Sequence, residues 1–324
     1  MMCRKYGSDL AYTPMFHSKV FISSESYRKR NFTTCPEDRP LLVQFCANDP
    51  EVFLEAAKYV ENDCDGVDLN LGCPQGIAKR GNYGAFLQEK QDLIFQLINK
   101  LAKGLKVPIT AKIRILDTEE ETLKYALMVQ EAGAAILAVH GRTRIQKGQL
   151  AGHANWEMIK KIKAALRIPV IANGSVERYE DIEECEKESN CDGLMSAGGL
   201  LRNPALFSGE VIKEVDLFEE YMQFAEKYPV RFSNVRAHMY KMLQKTLSTH
   251  NKYTQMMNVG KSIEEFRGVL DLIRENGDDT FLNTDLSANS WSLPSRHHKE
   301  KFIVTDKKGV QEEYVVEDMF PDDY

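Results

Sequence analysis

A cysteine on a short, conformationally fixed loop is the feature of this sequence with the clearest chemical potential. Cys73 lies in Asn70-Leu71-Gly72-Cys73-Pro74-Gln75, just past the apolar run 66–69. A structural cysteine ordinarily sits within an apolar run, as Cys46 does beside Phe45. On a loop beyond a strand, a thiol is better placed to move a proton. With an ordinary pKa of about 8.5 it is protonated at neutral pH and can donate.

Other polar residues follow short apolar runs in the same way. Gln44 follows 41–43, Lys112 and Arg114 end 109–113, His140 and Arg142 close the run from 136, Asn173-Gly174 follows 169–172, and Gly198-Gly199 follows 193–196. The last two loops suit a phosphate, because glycine admits close backbone approach and positive φ. Taken alone, Lys112 reads as a surface charge and His140 as a buried, hydrogen-bonded core histidine. Their shared position at strand ends points instead to a common site.

The elements that must position these residues are legible from alternation. Strands are expected at 9–13, 41–45, 66–69, 109–113, 136–140, 170–172 and 193–196. Amphipathic helices are expected between them at 50–61, 92–105, 118–131, 156–166 and 179–189. Seven such β/α units over about 200 residues favour a (β/α)8 TIM barrel, whose active site forms where the C-terminal strand ends converge. From about 210 the strand signal stops, and helices are expected at 219–227, 235–247 and 262–275. The domain organisation read from this pattern is a barrel over 1–209, a small all-helical domain over 210–276 and an irregular acidic tail over 277–324.

Composition excludes several classes. The 324 residues are 43% hydrophobic and 28% charged with a formal net charge of -6, the balance of a globular chain with a substantial core. No apolar window approaches the ~20 residues of a membrane helix, and the N-terminus lacks a secretory h-region. A cytoplasmic location is expected, with the nucleus as the other possibility, and no membrane contact. Seven scattered cysteines without a C-x-x-C pair predict neither a disulfide framework nor a metal site.

The run 66–87, GVDLNLGCPQGIAKRGNYGAFL, resembles the signature of the tRNA-dihydrouridine synthase family, in particular its eukaryotic D-loop-modifying (16/17) branch. Val43-Gln44-Phe45, Ala111-Lys112-Ile113-Arg114, Val139-His140-Gly141-Arg142-Thr143, Val170-Ile171-Ala172-Asn173-Gly174 and Arg202-Asn203-Pro204-Ala205-Leu206-Phe207 match in order. The resemblance implies an FMN-bound barrel that takes electrons from NADPH and reduces the C5=C6 bond of a tRNA D-loop uridine. It makes Cys73 the proton donor and sets Asn70 and Arg142 against the uridine. Gln44, Lys112 and His140 would line the flavin, with Asn173, Gly174, Gly198 and Gly199 at its phosphate. Arg231, Arg236, Lys241, Lys245 and Lys261 would form a basic tRNA surface, with Lys241 and Lys245 on one helix face. Lys79 and Arg80 would extend that surface at the barrel mouth.

Three departures qualify the match. The family's first strand, of the type Ala-Pro-Met, and its flavin-facing loop have no counterpart. A seven-stranded barrel with an open seam is therefore expected, from an incomplete gene product rather than a degraded relative. Ala197-Gly198-Gly199-Leu200 lacks the acidic residue usual in the branch, and the cysteine-containing extension of longer relatives is not recognisable in 277–324. An active monomeric synthase is the favoured reading. The alternatives are an inactive tRNA-binding relative that no longer holds FMN, and an FMN barrel oxidoreductase acting on a small molecule.

Overall fold

A computed structural model describes residues 1–282, 299–305 and 311–317, the last two segments as backbone only. The seven expected strands all form, and an eighth, very short one joins them. The strands are β1 (Ala11–Tyr12), β2 (Phe16–His17), β3 (Leu41–Cys46), β4 (Gly66–Leu71), β5 (Ile109–Arg114), β6 (Leu137–His140), β7 (Val170–Asn173) and β8 (Gly193–Met195). All pairings in this sheet are parallel, in the order β1-β3-β4-β5-β6-β7-β8, with β2 pairing the far end of β3. Among the described residues β1 and β8 remain the two edges, so the sheet curves as a (β/α)8-like barrel with one open seam.

Burial on both faces explains the composition of the strands. Every residue of β3, β4, β5 and β6 is buried, as a parallel sheet covered by crossover helices requires. Helices Pro50–Lys58, Gln91–Gly104, Glu119–Glu131, Trp156–Ala165 and Glu180–Ser189 supply that cover. Three of their starts are locally encoded. Asp49 accepts from the amides of Glu51 and Val52, with Pro50 in the first turn, while Thr118 and Asn155 cap helices Glu119–Glu131 and Trp156–Ala165 in the same manner.

A second apolar core, built on Phe218, Met222, Met239, Leu243, Tyr253 and Phe266, belongs to the C-terminal helices. Met2 and Tyr6, read from sequence as barrel, are buried in this core instead, and the Tyr6 hydroxyl donates to Glu220 at 2.5 Å. The helix expected over 235–247 is two helices, Phe232–Met242 and Gln244–Thr249, broken at Leu243. Lys241 and Lys245 therefore do not share a continuous helix face. Helix Asn251–Val259 follows, an element the sequence reading did not anticipate. Within the stretch read as irregular, Lys299–Thr305 pairs antiparallel with Gln311–Glu317. The remainder of that tail lies outside the described residues. No described helix is long and apolar enough to cross a membrane.

Candidate active site

Parallel register brings the polar strand ends into rows. Gln44 aligns with Asp68, Asn70 with Lys112, Arg114 with His140, and His140 with Asn173. The rows close through side chains. Gln44 donates to Asp68 at 2.9 Å and accepts from Asn70 at 2.9 Å, while the Thr110 hydroxyl donates to Asp68 at 2.6 Å. The Asn70 carbonyl in turn accepts from the amides of Gly72, at 3.0 Å, and Cys73, at 2.9 Å. One buried chain of hydrogen bonds thus runs from the barrel interior to the cysteine.

Cys73 is buried, and its loop is held on several sides. Gly84, at φ +63°, approaches so closely that a Cβ there would lie 2.8 Å from the Cys73 carbonyl oxygen. The Arg114 guanidinium donates to Gly72 O at 2.8 Å, and the Lys147 ammonium to Pro74 O at 2.9 Å. Burial pushes the Cys73 thiol up from its ordinary value, against the pull of Arg114, Lys112 and Lys147. It is therefore the protonated form that this site holds at neutral pH.

Lys112 is buried, and desolvation together with Arg114 lowers it to about 8, opposed by Asp68 and Cys73. Burial and the cations of Lys112, Arg114 and Arg142 keep His140 well below its ordinary value. Its Nε2 lies 3.1 Å from Arg142 Nη1. A guanidinium has no acceptor, so Nε2 is the accepting nitrogen of a neutral ring. Arg142 also donates to Gly152 O and, at 3.0 Å, to the Ser175 hydroxyl.

Gly174 stands at φ +103°, and a Cβ there would lie 2.7 Å from the His140 ring; at Gly199 it would lie 2.6 Å from Ser196 Oγ. Both positions demand glycine on space alone. Gly198 opens the short helix Gly198–Arg202 beside it. Asn173 donates to Met195 O at 2.9 Å, while its buried Oδ1 has no partner among the described residues. The buried Tyr12 hydroxyl is likewise unpartnered. A cavity of about 1090 Å³ runs along the open seam, with Tyr12, Gln44, Lys112, Met195, Ser196 and Ala197 among its walls. The unmatched Tyr12 hydroxyl and the Lys112 ammonium in this cavity, with the unmatched Asn173 Oδ1 nearby in the sheet, fit a bound polar cofactor.

The chain belongs to the dihydrouridine synthase family. A model of that family, described as dihydrouridine synthase (Dus), matches residues 1–290. Over 276 residues the chain is 46% identical to a Mus musculus protein named tRNA-dihydrouridine(16/17) synthase (NAD(P)(+))-like, covering 85% of this chain and 58% of that one. The Schizosaccharomyces pombe tRNA-dihydrouridine(16/17) synthase (NAD(P)(+)) is 42% identical over 85% of this chain and 74% of its own length. The Saccharomyces cerevisiae protein of the same name is 48% identical over 77% of this chain and 63% of its own.

The structure gathers Gln44, Asn70, Cys73, Lys112, His140, Arg142, Asn173 and Gly174 about one barrel mouth, with Gly198 and Gly199 on the loop beyond β8. Asn70 also holds the cysteine loop. Its amide is occupied with Gln44 and the Cys73 loop, leaving at most one N–H for a ligand, so it positions the cysteine. Lys79 and Arg80 are exposed on helix Gly76–Gly81, beside the cysteine loop rather than in the buried network. In the helical part, Arg236 is spent internally on the carbonyls of Asn258 and Gly260. Asp68, Thr110, Ser175 and Lys147 were not singled out from sequence. The signal for Asp68 is visible in hindsight as a carboxylate inside the apolar run 66–71, whereas nothing local marks the other three.

Proposed function

We propose that the protein reduces uridine to dihydrouridine in the D-loop of tRNA, at positions 16/17, with FMN as bound cofactor, NADPH as reductant and Cys73 as proton donor. The observation that carries this reading is the buried chain Asp68–Gln44–Asn70–Cys73, which ties a protonated thiol to Gln44, a residue that also lines the seam cavity. The names of the 42–48% identical relatives supply the substrate, the positions and the NAD(P) reductant.

When bound, FMN would supply a hydride to C6 of the uracil. The chain's own residues do the rest. The Cys73 thiol delivers a proton to C5, and its raised pKa keeps that proton available through neutral pH. Asn70 holds the Cys73 amide, so the sulfur has one approach to the base. Lys112, charged below about 8, places a cation inside the cavity, where negative charge on the cofactor ring is favoured. In this reading neutral His140, locked by Arg142, and the loops at Gly174 and Gly199 would face the phosphate end. Arg142, held on Gly152 O, Ser175 and His140, keeps one Nη1 N–H for the uridine in this reading. Lys79 and Arg80 give the rim a positive charge for the tRNA backbone.

Purified chain incubated with FMN, NADPH and an unmodified tRNA transcript tests the proposal. Flavin uptake with one dihydrouridine formed per NADPH consumed is expected. A preparation that takes up no FMN, or that turns over a free small substrate but not tRNA, would sink it.

A further inference from the structure

The Tyr12 hydroxyl has no duty in the fold. It is buried, and no group among the described residues bonds it. A polar atom left unpaired in the interior costs stability, so its retention needs a reason. Register shows where it points. Residues paired across a sheet, and residues two apart along a strand, share one face. Tyr12 pairs with Leu42, two residues before Gln44; Gln44 aligns with Asp68, two before Asn70; and Asn70 aligns with Lys112. Tyr12, Gln44, Asp68 and Lys112 therefore lie on one face, with Tyr12 a row below Gln44. Three of the four, Tyr12, Gln44 and Lys112, line the seam cavity.

Those three side chains present donors. Lys112 has no acceptor atom. Gln44 Oε1 already accepts from Asn70 and one Nε2 hydrogen goes to Asp68, which leaves Gln44 a single N–H. Burial, with the Asp68 carboxylate close by, pushes the Tyr12 phenol well above its ordinary value, so the proton stays on its oxygen. The other walls of the cavity include the apolar side chains of Ile171, Leu194 and Leu200. A donor edge set among apolar walls suits a flat heterocycle with an acceptor-rich rim.

We propose that the Tyr12 hydroxyl is a ligand contact, donating a hydrogen bond to the acceptor-rich edge of the heterocyclic ring bound in the seam cavity beside Lys112. The inference rests on the flavin reading above and adds which end of the cofactor meets this wall: the ring lies at Tyr12, and the phosphate lies away from it. A hydroxyl kept for a ligand destabilises the empty protein and strengthens the loaded one. Removing it therefore has effects of opposite sign on the two, which a hydroxyl with a purely structural role would not show.

The test is Tyr12→Phe in the full chain, which removes the oxygen and keeps the ring. The unfolding midpoint is measured without flavin, and the dissociation constants are measured for FMN and for riboflavin, which lacks the phosphate. The flavin-free variant should unfold at a midpoint no lower than that of the wild type. Its affinity should fall about threefold to tenfold for FMN, the worth of one hydrogen bond, and by the same factor for riboflavin. A lower midpoint without flavin, a loss for FMN of less than about twofold, or a loss seen with FMN but not with riboflavin would each overturn the assignment. A wild-type chain that takes up neither flavin would instead refute the flavin reading, and the Tyr12 contact with it.

Discussion

Replacing Lys112 with Met should make the protein more stable and less able to hold its cofactor. The ammonium is buried in the barrel, and its pKa falls from 10.5 to about 8. Holding it charged at pH 7 therefore costs the fold on the order of 3 kcal/mol. The folded value lies below the unfolded one, so between about 8 and 10.5 the unfolded chain binds more protons. Native stability must then rise with pH across that window, and the penalty is fully present below about 8. Methionine keeps the length and removes the charge. It also removes an attraction for Asp68, so a net gain of about 1–3 kcal/mol at pH 7 is expected. Urea unfolding of both proteins at pH 7 and pH 10 measures this, and the advantage of the variant should shrink at pH 10. A flavin titration should show weaker binding by the variant. If Lys112→Met is less stable at pH 7, or if the gap ignores pH, then the lysine is a structural tie rather than a charge kept for a ligand.

Other consequences follow from the same geometry. The Cys73 thiol, pushed up by burial, should react with iodoacetamide more slowly at neutral pH than an ordinary thiol and accelerate only under more alkaline conditions; rapid alkylation at pH 7 would contradict a protonated donor. Gly174→Ala places a Cβ at φ +103° and 2.7 Å from His140, so a loss of about 2 kcal/mol in thermal or denaturant unfolding is expected, together with weaker flavin binding. Arg114→Met leaves the carbonyls of Gly72, Thr143 and Gln146 without their donor. It should cost about 3 kcal/mol and loosen the cysteine loop, read as faster amide hydrogen exchange at Gly72 and Cys73, whereas alkylation of the thiol should slow with loss of the cation. Unchanged exchange would show that Lys147 and Asn70 suffice to hold that loop.

The strands were legible because a parallel sheet buried on both faces must be written in short apolar runs, and each run here ends at a polar residue. Residues 16–17 escaped notice because two residues carry no period, and their pairing with Phe45 and Cys46 is a tertiary event. The break at Leu243 was invisible for a related reason. The amides of Lys245 and Thr246 turn to the buried carboxylate of Glu214, far away in sequence, and propensity at 243 contains no trace of that contact. Cys73 and its neighbours could be chosen from sequence, since each lies at a strand end. The hold of Asn70 on the cysteine loop could not, because it depends on Gln44 standing 26 residues away in sequence and 2.9 Å distant. Lys241 and Lys245 show the converse error, where a correct spacing argument was applied to a helix that is not continuous.

The central claim is that Cys73 protonates a tRNA uridine in a flavin-bearing barrel of this chain. The most direct measurement is the dihydrouridine content of D-loop positions 16 and 17 in tRNA from cells that lack their own synthase and are supplied with this chain or with its Cys73→Ala variant. Dihydrouridine restored by the first and absent with the second, both proteins retaining flavin, is the predicted result. Restoration that survives Cys73→Ala, or no restoration by a flavin-loaded wild-type chain, would contradict it.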